Sequence, residues 1–209
     1  MCFSKKASIA ALTVGLIGSI LCISLGSISD KIVGYFFGFV ALMQGIDYLL
    51  WDHQKCDDYN RNISVSGMIL NHLQPFVLGL IILLVNPRNP YNKWIFLLMM
   101  LYICVIIPFS LQFDKTKQCT LKDKIVNHLR WNWTYMDYNI YVYGLFLSLL
   151  VIFSLLGFPT RTYGIIFALI AVISYVSSAY LYTYDFMGIL WCYYSVGLPL
   201  LYYIIRVII

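Results

Sequence analysis

Glutamate is absent from this 209-residue sequence, and charged residues of every kind are few. The nine acids are all Asp, and charged residues make up 11% of the chain, against about 25% in soluble globular domains. So little charge argues against an ordinary water-exposed surface. The formal net charge is only +5, and no dense run of Lys or Arg occurs. The sequence therefore offers no basic patch for nucleic acid.

Several catalytic and cofactor signatures are also missing. The sequence contains no Gly-x-Ser-x-Gly, His-Glu-x-x-His or His-x-x-x-His motif, which are the local patterns of many hydrolases and metalloproteases. The last apolar segment contains no Lys, which argues against a retinal Schiff base. No other cofactor is indicated.

Long apolar runs dominate what is present, and 61% of the residues are hydrophobic. A membrane-spanning helix needs about 20 consecutive, mainly apolar residues. The runs predict an all-α, multi-pass integral membrane protein: one domain, residues 1–209, with lipid bilayer as its surroundings and about seven transmembrane helices. The oligomeric state is left open. The predicted spans are 8–28, 32–51, 65–85, 94–113, 138–157, 163–182 and 186–208.

Polar punctuation separates these runs. Ser29-Asp30-Lys31 predicts a tight turn between the first two helices. The long connection 114–137 is expected to hold an interfacial helix around Leu121–Trp131. Small residues in the first helix (Gly15, Gly18) and second helix (Gly34, Gly38) favour close packing of these two helices over a dimer interface.

The orientation in the membrane is left open by conflicting signals. Seven spans would put the termini on opposite faces, and we term the face carrying the N-terminus the N-terminal face. Nine Lys and Arg fall on this face and five on the other, which favours a cytoplasmic N-terminal face. However, Asn62 and Asn132 begin glycosylation sequons on the same face. Cys56 and Cys119 lie in two of its loops and could form a disulfide, which favours an oxidising compartment.

Polar residues inside the predicted spans crowd toward the N-terminal face. Such residues are costly in lipid and usually functional. They predict a polar vestibule that opens to this face and reaches roughly 6–10 Å into the membrane at about 1.5 Å per residue. Its candidate residues are Gln44 and Asp47 in the second helix, Asn71, His72 and Gln74 in the third, Trp191 and Cys192 in the last, and Cys2 and Ser4 before the first.

Pro75 predicts a local break in the hydrogen bonding of the third helix. Proline removes one helical hydrogen bond, here to the carbonyl of Asn71, and usually kinks the helix. An Asp47 carboxylate near the His72 ring would form a proton-sensitive pair. The same residues would equally serve as a hydrogen-bonded clamp between the second and third helices.

A metal site is weakly indicated by His53 and Cys56, which are separated by two residues. Structural zinc sites need four ligands, usually as two such pairs, and the sequence has one pair. Cys56 also has Cys119 as a competing partner. We therefore predict no metal site, with His53 and Cys56 as the weak candidates.

Three stretches carry a resemblance to a known family. Met1-Cys2-Phe3-Ser4, Gln44-x-x-Asp47-x-x-x-Trp51 and Gly188-x-Leu190-Trp191-Cys192 resemble an uncharacterised family of multi-spanning membrane proteins, mostly bacterial, with relatives in large DNA viruses. That family usually has Glu at the position of Asp47. Asn71-His72-Leu73-Gln74-Pro75 is similar to its proline-containing third helix. The family has no established activity, so the resemblance implies where a site lies and not what it does.

Three hypotheses for function follow. The favoured one is a protein that binds or conducts a small ion, a proton or a polar solute through the vestibule around Asp47 and His72. The first alternative is an intramembrane hydrolase, metal-dependent or not, that uses His72 and Asp47 with Cys2 or Cys192. The second alternative is a structural or assembly protein. Whether the protein is an enzyme stays open.

Overall fold

The computed structural model describes residues 4–116, 119–123, 128–182 and 189–208, and these form an almost entirely helical bundle. This confirms the all-α prediction. Within the described ranges, only a two-stranded hairpin and one turn of 3-10 helix interrupt the helices. The helices are α1 (Lys5–Leu25), α2 (Ile28–Asp52), α3 (Asp58–His72), α4 (Gln74–Val85), α5 (Asn92–Thr116), α6 (Asn139–Gly157), α7 (Arg161–Tyr182) and α8 (Ile189–Ile208).

Five of these helices, α1, α2, α5, α6 and α7, are long and apolar enough to cross a membrane. The number rises to six if α3 and α4, which are bent by 48° at a short break, form one span. In α8 the apolar stretch Tyr194–Ile208 falls short of that length over the part the structure describes. Five or six candidate spans are thus observed, against the seven that the sequence predicts.

Capping residues explain where the first two helices begin and end. The Ser4 side chain accepts a hydrogen bond from the Ala7 N–H at the start of α1. Gly26 ends α1 with φ +86°, a left-handed conformation that glycine adopts without strain. Ser27 and Asp30 then form a capping box that starts α2. The turn predicted at Ser29–Lys31 is therefore wrong, because those residues already form the first turn of α2.

Small residues let α1 lie close to both α2 and α8. A Cβ added at Gly34 of α2 would lie 2.7 Å from the Ser19 carbonyl oxygen of α1, so the two backbones are nearly in contact, as the sequence predicts. Gly15 lies against Ala41 of α2. Gly18 instead lies against α8, where an added Cβ would be 2.6 Å from the Leu200 nitrogen. Helix α1 is thus wedged between α2 and α8.

The long connection after α5 forms a folded cap instead of the predicted interfacial helix over Leu121–Trp131. Strands β1 (Leu121–Lys122) and β2 (Leu129–Arg130) pair antiparallel, and a 3-10 helix, Asn132–Tyr135, follows. We term residues 119–123 and 128–133 the N-terminal cap.

Contacts with α3 explain the extended conformation of the cap. The Asn60 amide donates to the Thr120 carbonyl and accepts from the Thr120 N–H, both at 3.0 Å. It thereby makes the two bonds that a neighbouring strand would make. Trp131 and Trp133 are buried and stacked, with ring centroids 5.2 Å apart. The backbone of the cap is thus bonded to a helix that lies far from it in sequence.

An aromatic layer fills the centre of the bundle. Its five rings, which come from α2, α7 and α8, are buried, with neighbouring centroids 5.2–6.4 Å apart. Such spacing is typical of favourable aromatic pairs. Trp191 also connects the layer to α4, because its indole N–H donates to Gln74. The members of the layer are Phe36, Phe37, Phe167, Tyr175 and Trp191.

We predict that Gly34→Ala lowers the free energy of unfolding by about 1–3 kcal/mol, because the new methyl group meets backbone atoms of α1 that cannot move independently. Gly45→Ala in the same helix is the matched control. There the nearest atom is the Leu12 methyl carbon at 3.7 Å, and replacing a helical glycine is expected to raise stability by about 0.5–1 kcal/mol. Denaturant unfolding of both variants in one detergent checks the contrast, and equal effects would contradict the close packing.

Candidate functional site

Two polar residues of α2 lie completely inside the bundle. Gln44 and Asp47 have no exposed surface, and one helical turn separates them. Neither polar atom of the Gln44 amide has a hydrogen-bond partner in the part of the chain that the structure describes. Burying an unpaired amide costs roughly 2–7 kcal/mol depending on the reference state. Such a deficit requires an explanation, and an ordered water or a bound ligand supplies one.

Other unpartnered polar atoms come from the helices around Gln44. The Ser8 hydroxyl of α1 and the Trp51 indole N–H of α2 are buried and make no bond to described residues. Because Leu12 lies against Gly45 and α1 runs antiparallel to α2, Ser8 is near the level of Asp47. The site thus has contributions from α1 and α2 at the N-terminal face.

Gln74 connects this region to α8. Its Oε1 accepts a hydrogen bond of 2.9 Å from the Trp191 indole N–H, and its Nε2 has no partner among the described residues. Gly67 lies against Ile46, and α3 runs antiparallel to α2, so Gln74 is deeper in the bundle than Gln44. It lies next to the aromatic layer through Trp191. We term Ser8, Gln44, Asp47, Trp51 and Gln74 the polar cluster.

The break between α3 and α4 follows from Pro75, which has no N–H to donate. Helix α3 ends at His72 and α4 begins at Gln74, with Val77 N–H bonded to the Leu73 carbonyl. The Tyr102 hydroxyl donates to the His72 carbonyl at 2.7 Å. The sequence predicts that the Asn71 carbonyl loses its helical partner. In the structure, the carbonyl that receives a bond from α5 is that of the following residue, His72.

The His72 ring contacts hydroxyl groups instead of Asp47. Its Nδ1 lies 2.9 Å from Ser110 Oγ of α5, and its Nε2 lies 3.5 Å from the Tyr143 hydroxyl of α6. That hydroxyl also donates to Asn71 Oδ1 at 3.4 Å. Helix α3 therefore turns His72 toward α5 and α6, away from the polar cluster. The expected Asp47–His72 pair is not formed.

Ser110 is a candidate residue that sequence reasoning missed. It and His72 line an apolar groove of about 390 Å³ on the outer side of α3 and α5. The walls include Ile107 and Leu111, which are half exposed. The sequence could have indicated Ser110, because its hydroxyl lies inside the fourth predicted span, two residues after Pro108. Polar groups within membrane spans are usually functional.

The remaining vestibule candidates are placed as follows. Ser4 is exposed and serves as the N-cap of α1. Trp191 is buried and bonded to Gln74. Cys2 lies outside the residues that the structure describes. Cys192 belongs to α8, but its side chain is not among the described ones. Asn71 and His72 thus face α5 and α6, whereas Gln44 and Asp47 are buried along α2 and Gln74 is bonded to Trp191 of α8.

The loop candidates for a metal make other bonds. Cys56 and Cys119 form a disulfide, the pairing that the sequence offered. His53 Nε2 lies 2.7 Å from Asp57 Oδ2. The Asn60 backbone N–H and His53 both lower the pKa of the Asp57 carboxyl. The pair His53 and Cys56 is thus engaged elsewhere, and no group of three metal-ligating side chains occurs within the described ranges.

The two sequons occupy structured positions near this disulfide. Asn62 is an exposed residue of α3, whereas the hydroxyl of its sequon partner Ser64 is buried and accepts from the Thr120 N–H. The Asn132 amide donates to the Cys119 carbonyl at 2.5 Å. Glycosylation at either position would require these bonds of Ser64 or Asn132 to open.

No protein-family model, curated protein or solved structure matches this chain. Fold and site define it as a helical protein with five or six candidate membrane spans and buried polar residues in several of its helices. The resemblance carried by Met1–Ser4, Gln44–Trp51 and Gly188–Cys192 stays a prediction.

We predict that Tyr102→Phe lowers the free energy of unfolding by about 1–3 kcal/mol, because it leaves the buried His72 carbonyl without its donor from α5. Tyr35→Phe in α2 is the matched control, since Tyr35 is 47% exposed, and its effect should stay within about 0.5 kcal/mol. Thermal and denaturant unfolding in detergent measure both. Equal stability of the two variants would show that the helix break does not need Tyr102.

Proposed function

We propose that the protein is a seven-span membrane protein in which α3 with α4 forms the third span and α8 the seventh. Helix α8 has 20 residues, which corresponds to about 30 Å of helix, the thickness of a bilayer core. We also propose that the N-terminal face lies in an oxidising compartment, because the Cys56–Cys119 disulfide is in a loop region of that face.

We propose that the polar cluster binds a small polar solute that enters from the N-terminal face. The observation that carries this proposal is the Gln44 amide, which is fully buried with both of its polar atoms unpartnered among the described residues. An apolar side chain at this position would avoid that cost. A bound molecule that accepts a hydrogen bond from Gln44 Nε2 and donates one to Gln44 Oε1 would offset the cost of burying this amide.

The chemistry of the cluster indicates what kind of solute fits. The unpartnered atoms of Gln44, Gln74, Trp51 and Ser8 are mostly donors, so they suit hydroxyl, carbonyl or amide oxygens. The Asp47 carboxylate and Gln44 Oε1 are acceptors. A bare cation would use the acceptors and leave the N–H groups unsatisfied. A small solute with both hydroxyl or amide donors and acceptors matches the set better.

The aromatic layer favours binding over free permeation. Trp191 is bonded to Gln74 of the polar cluster and packs on Phe36 and Phe37. These contacts support a cluster that is closed on the side toward the opposite face. The N-terminal cap is adjacent, since Trp133 and Ile46 both lie against Gly67. Passage across the membrane would require the rings to separate.

We predict that polar reagents reach Gln44 from water. In a background in which Cys2, Cys22, Cys104 and Cys192 are replaced by Ser, Gln44→Cys should react with aminoethyl methanethiosulfonate in proteoliposomes. Mass spectrometry of the intact protein measures the modification.

Met43→Cys is the matched control for that experiment. Met43 is the adjacent residue, is equally buried, and belongs to the hydrophobic core. It should stay unmodified during the time in which Gln44→Cys reacts completely. Equal, negligible reaction of both variants would contradict a solute site and favour a structural role for the polar cluster.

A second candidate function is hydrolysis of a lipid ester at Ser110, and we propose it on one observation. Ser110 Oγ and His72 Nδ1 are 2.9 Å apart on an apolar groove open to the surface of the bundle. A serine nucleophile and a histidine base must lie within such a distance. His72 Nδ1 would take the hydroxyl proton as Oγ attacks the ester carbonyl and return it to the alcohol as the ester C–O bond breaks. It would then deprotonate the water that hydrolyses the acyl-serine and give that proton back to Oγ. Tyr143, at the other ring nitrogen, would orient the imidazole.

We predict for this candidate that a long-chain fluorophosphonate labels the protein and that Ser110→Ala abolishes the label. His72→Gln should reduce the labelling rate about 100-fold, since general-base catalysis typically contributes 10²–10⁴-fold. Ser148→Ala is the control, because Ser148 is exposed and bonded only to its own helix at the Gly144 carbonyl. Absence of label from the parent protein would leave the Ser110–His72 bond as a structural contact.

A further inference from the structure

Basic residues outnumber acidic ones at the C-terminal face, the end of the bundle at which α8 ends. Five basic residues belong to this face, and Asp30 is its one acid in the sequence. Asp30 is fully buried and accepts hydrogen bonds from the Ser27 N–H, the Tyr202 hydroxyl and Arg206 Nε. The other cations therefore face the surroundings without an acidic partner in the sequence of this face. They are Lys31, Arg88, Lys93 and Arg161.

A polar pocket of about 330 Å³ lies at this face between the start of α2 and the start of α7. Ser27 and Ser29 line one side, Pro159 and Thr160 the other, and Arg206 is part of the wall. The first N–H groups of a helix have no acceptor within the helix and carry the positive end of its dipole. Two helices thus begin beside one pocket that also contains a guanidinium group.

Arg206 is held in place while part of its guanidinium stays free. Its Nε bonds to Asp30 at 3.2 Å, and its guanidinium lies 5.9 Å from the centre of the Tyr163 ring. The two terminal Nη groups make no hydrogen bond to the residues that the structure describes, and the side chain is 37% exposed. A fixed guanidinium with free Nη groups matches two oxygens of a phosphate.

An apolar groove continues from the polar pocket. It has a volume of about 130 Å³ and runs between α7 and α8 over Val33 and Phe37 of α2. Tyr163 and Arg206 line both the pocket and the groove. The outer walls of the groove include Ile166 and Leu201, each about half exposed. A polar chamber joined to an apolar groove has the shape of an amphiphile, with a charged head and a hydrocarbon tail.

We propose that this joint site binds an anionic phospholipid. The phosphate lies in the pocket between Ser27 and Thr160 and accepts from the Nη groups of Arg206 and from the N–H groups at the start of α2 and α7. The acyl segment next to the headgroup lies in the groove between α7 and α8. The site is independent of the polar cluster and of the Ser110–His72 pair. It would lie in the cytoplasmic leaflet if the N-terminal face is outside, and that leaflet is rich in anionic lipids.

The first test compares lipids that differ only in headgroup. Delipidated protein in detergent is mixed with phosphatidylglycerol or phosphatidylcholine of the same acyl chains, and bound lipid is counted by native mass spectrometry. We expect phosphatidylglycerol to bind at least about fivefold more tightly, which corresponds to roughly 1 kcal/mol. Equal binding of the two lipids would overturn the proposal. Displacement of phosphatidylglycerol by an equal concentration of glycerol phosphate would also overturn it, because the groove would then contribute nothing.

The second test uses a matched pair of substitutions at an exposed position. Thr160 precedes α7, where Asp and Asn both serve as N-caps. Thr160→Asp adds a negative charge to the pocket and should lower phosphatidylglycerol binding at least about fivefold, whereas Thr160→Asn should leave it unchanged. Loss of binding in both variants, or in neither, would contradict the assigned position of the phosphate.

The third test removes the Arg206 guanidinium and, in the same variant, the buried Asp30 carboxylate that it pairs with. The double variant Asp30→Asn with Arg206→Gln replaces the ion pair by two amides and should lower phosphatidylglycerol binding about tenfold while phosphatidylcholine binding stays the same. Unchanged preference for phosphatidylglycerol in the double variant would overturn the role of Arg206. If this variant does not fold, the Thr160 pair and the headgroup comparison decide the proposal.

Discussion

The missing N–H of Pro75 is the constraint on which the arrangement of polar residues depends. It ends α3 at His72 and lets α4 leave at an angle of 48°. Two residues separated by one position then face different neighbours: His72 meets Ser110, and Gln74 meets Trp191. A continuous helix would also place them about 200° apart, at 100° per residue, but the bend lets Tyr102 fill the open carbonyl. Helical periodicity and the bend together divide the polar residues toward the N-terminal face into two sets with different surroundings, one enclosed and one on an apolar groove.

Residue types and spacing along single helices predicted much of this. Gln44 and Asp47 lie one turn apart on α2, so their shared burial follows from helical periodicity. Gly34 predicted the close contact of α2 with α1. The rotation of α3 relative to its neighbours could not be predicted, because it depends on packing against α5 and α6. For that reason the pairing of His72 with Asp47 was wrong and Ser110 was missed. The cap was also missed, since its extended backbone is set by Asn60, which is distant in sequence.

The two ends of the bundle are closed by different means. At the N-terminal face, the disulfide and the reciprocal Asn60–Thr120 bonds attach the cap to α3. At the C-terminal face, Asp30 joins the capping box of α2 to Tyr202 and Arg206 of α8. Along α2, Phe36 and Phe37 of the aromatic layer lie between Asp30 and Gln44. Each proposed site can therefore be tested by substitutions that leave the others in place.

The attachment of the cap to α3 also constrains the order in which the chain matures. Cys56 and Cys119 are 63 positions apart, and α3, α4 and α5 lie between them. Residue 60 is synthesised before residue 120, so the Asn60 amide and the Cys56 thiol gain these partners only after α3, α4 and α5 have been made. Closure of the cap is therefore a late event that requires the ends of this three-helix segment to meet. The oxidised protein would then be enriched in molecules in which these helices have already packed.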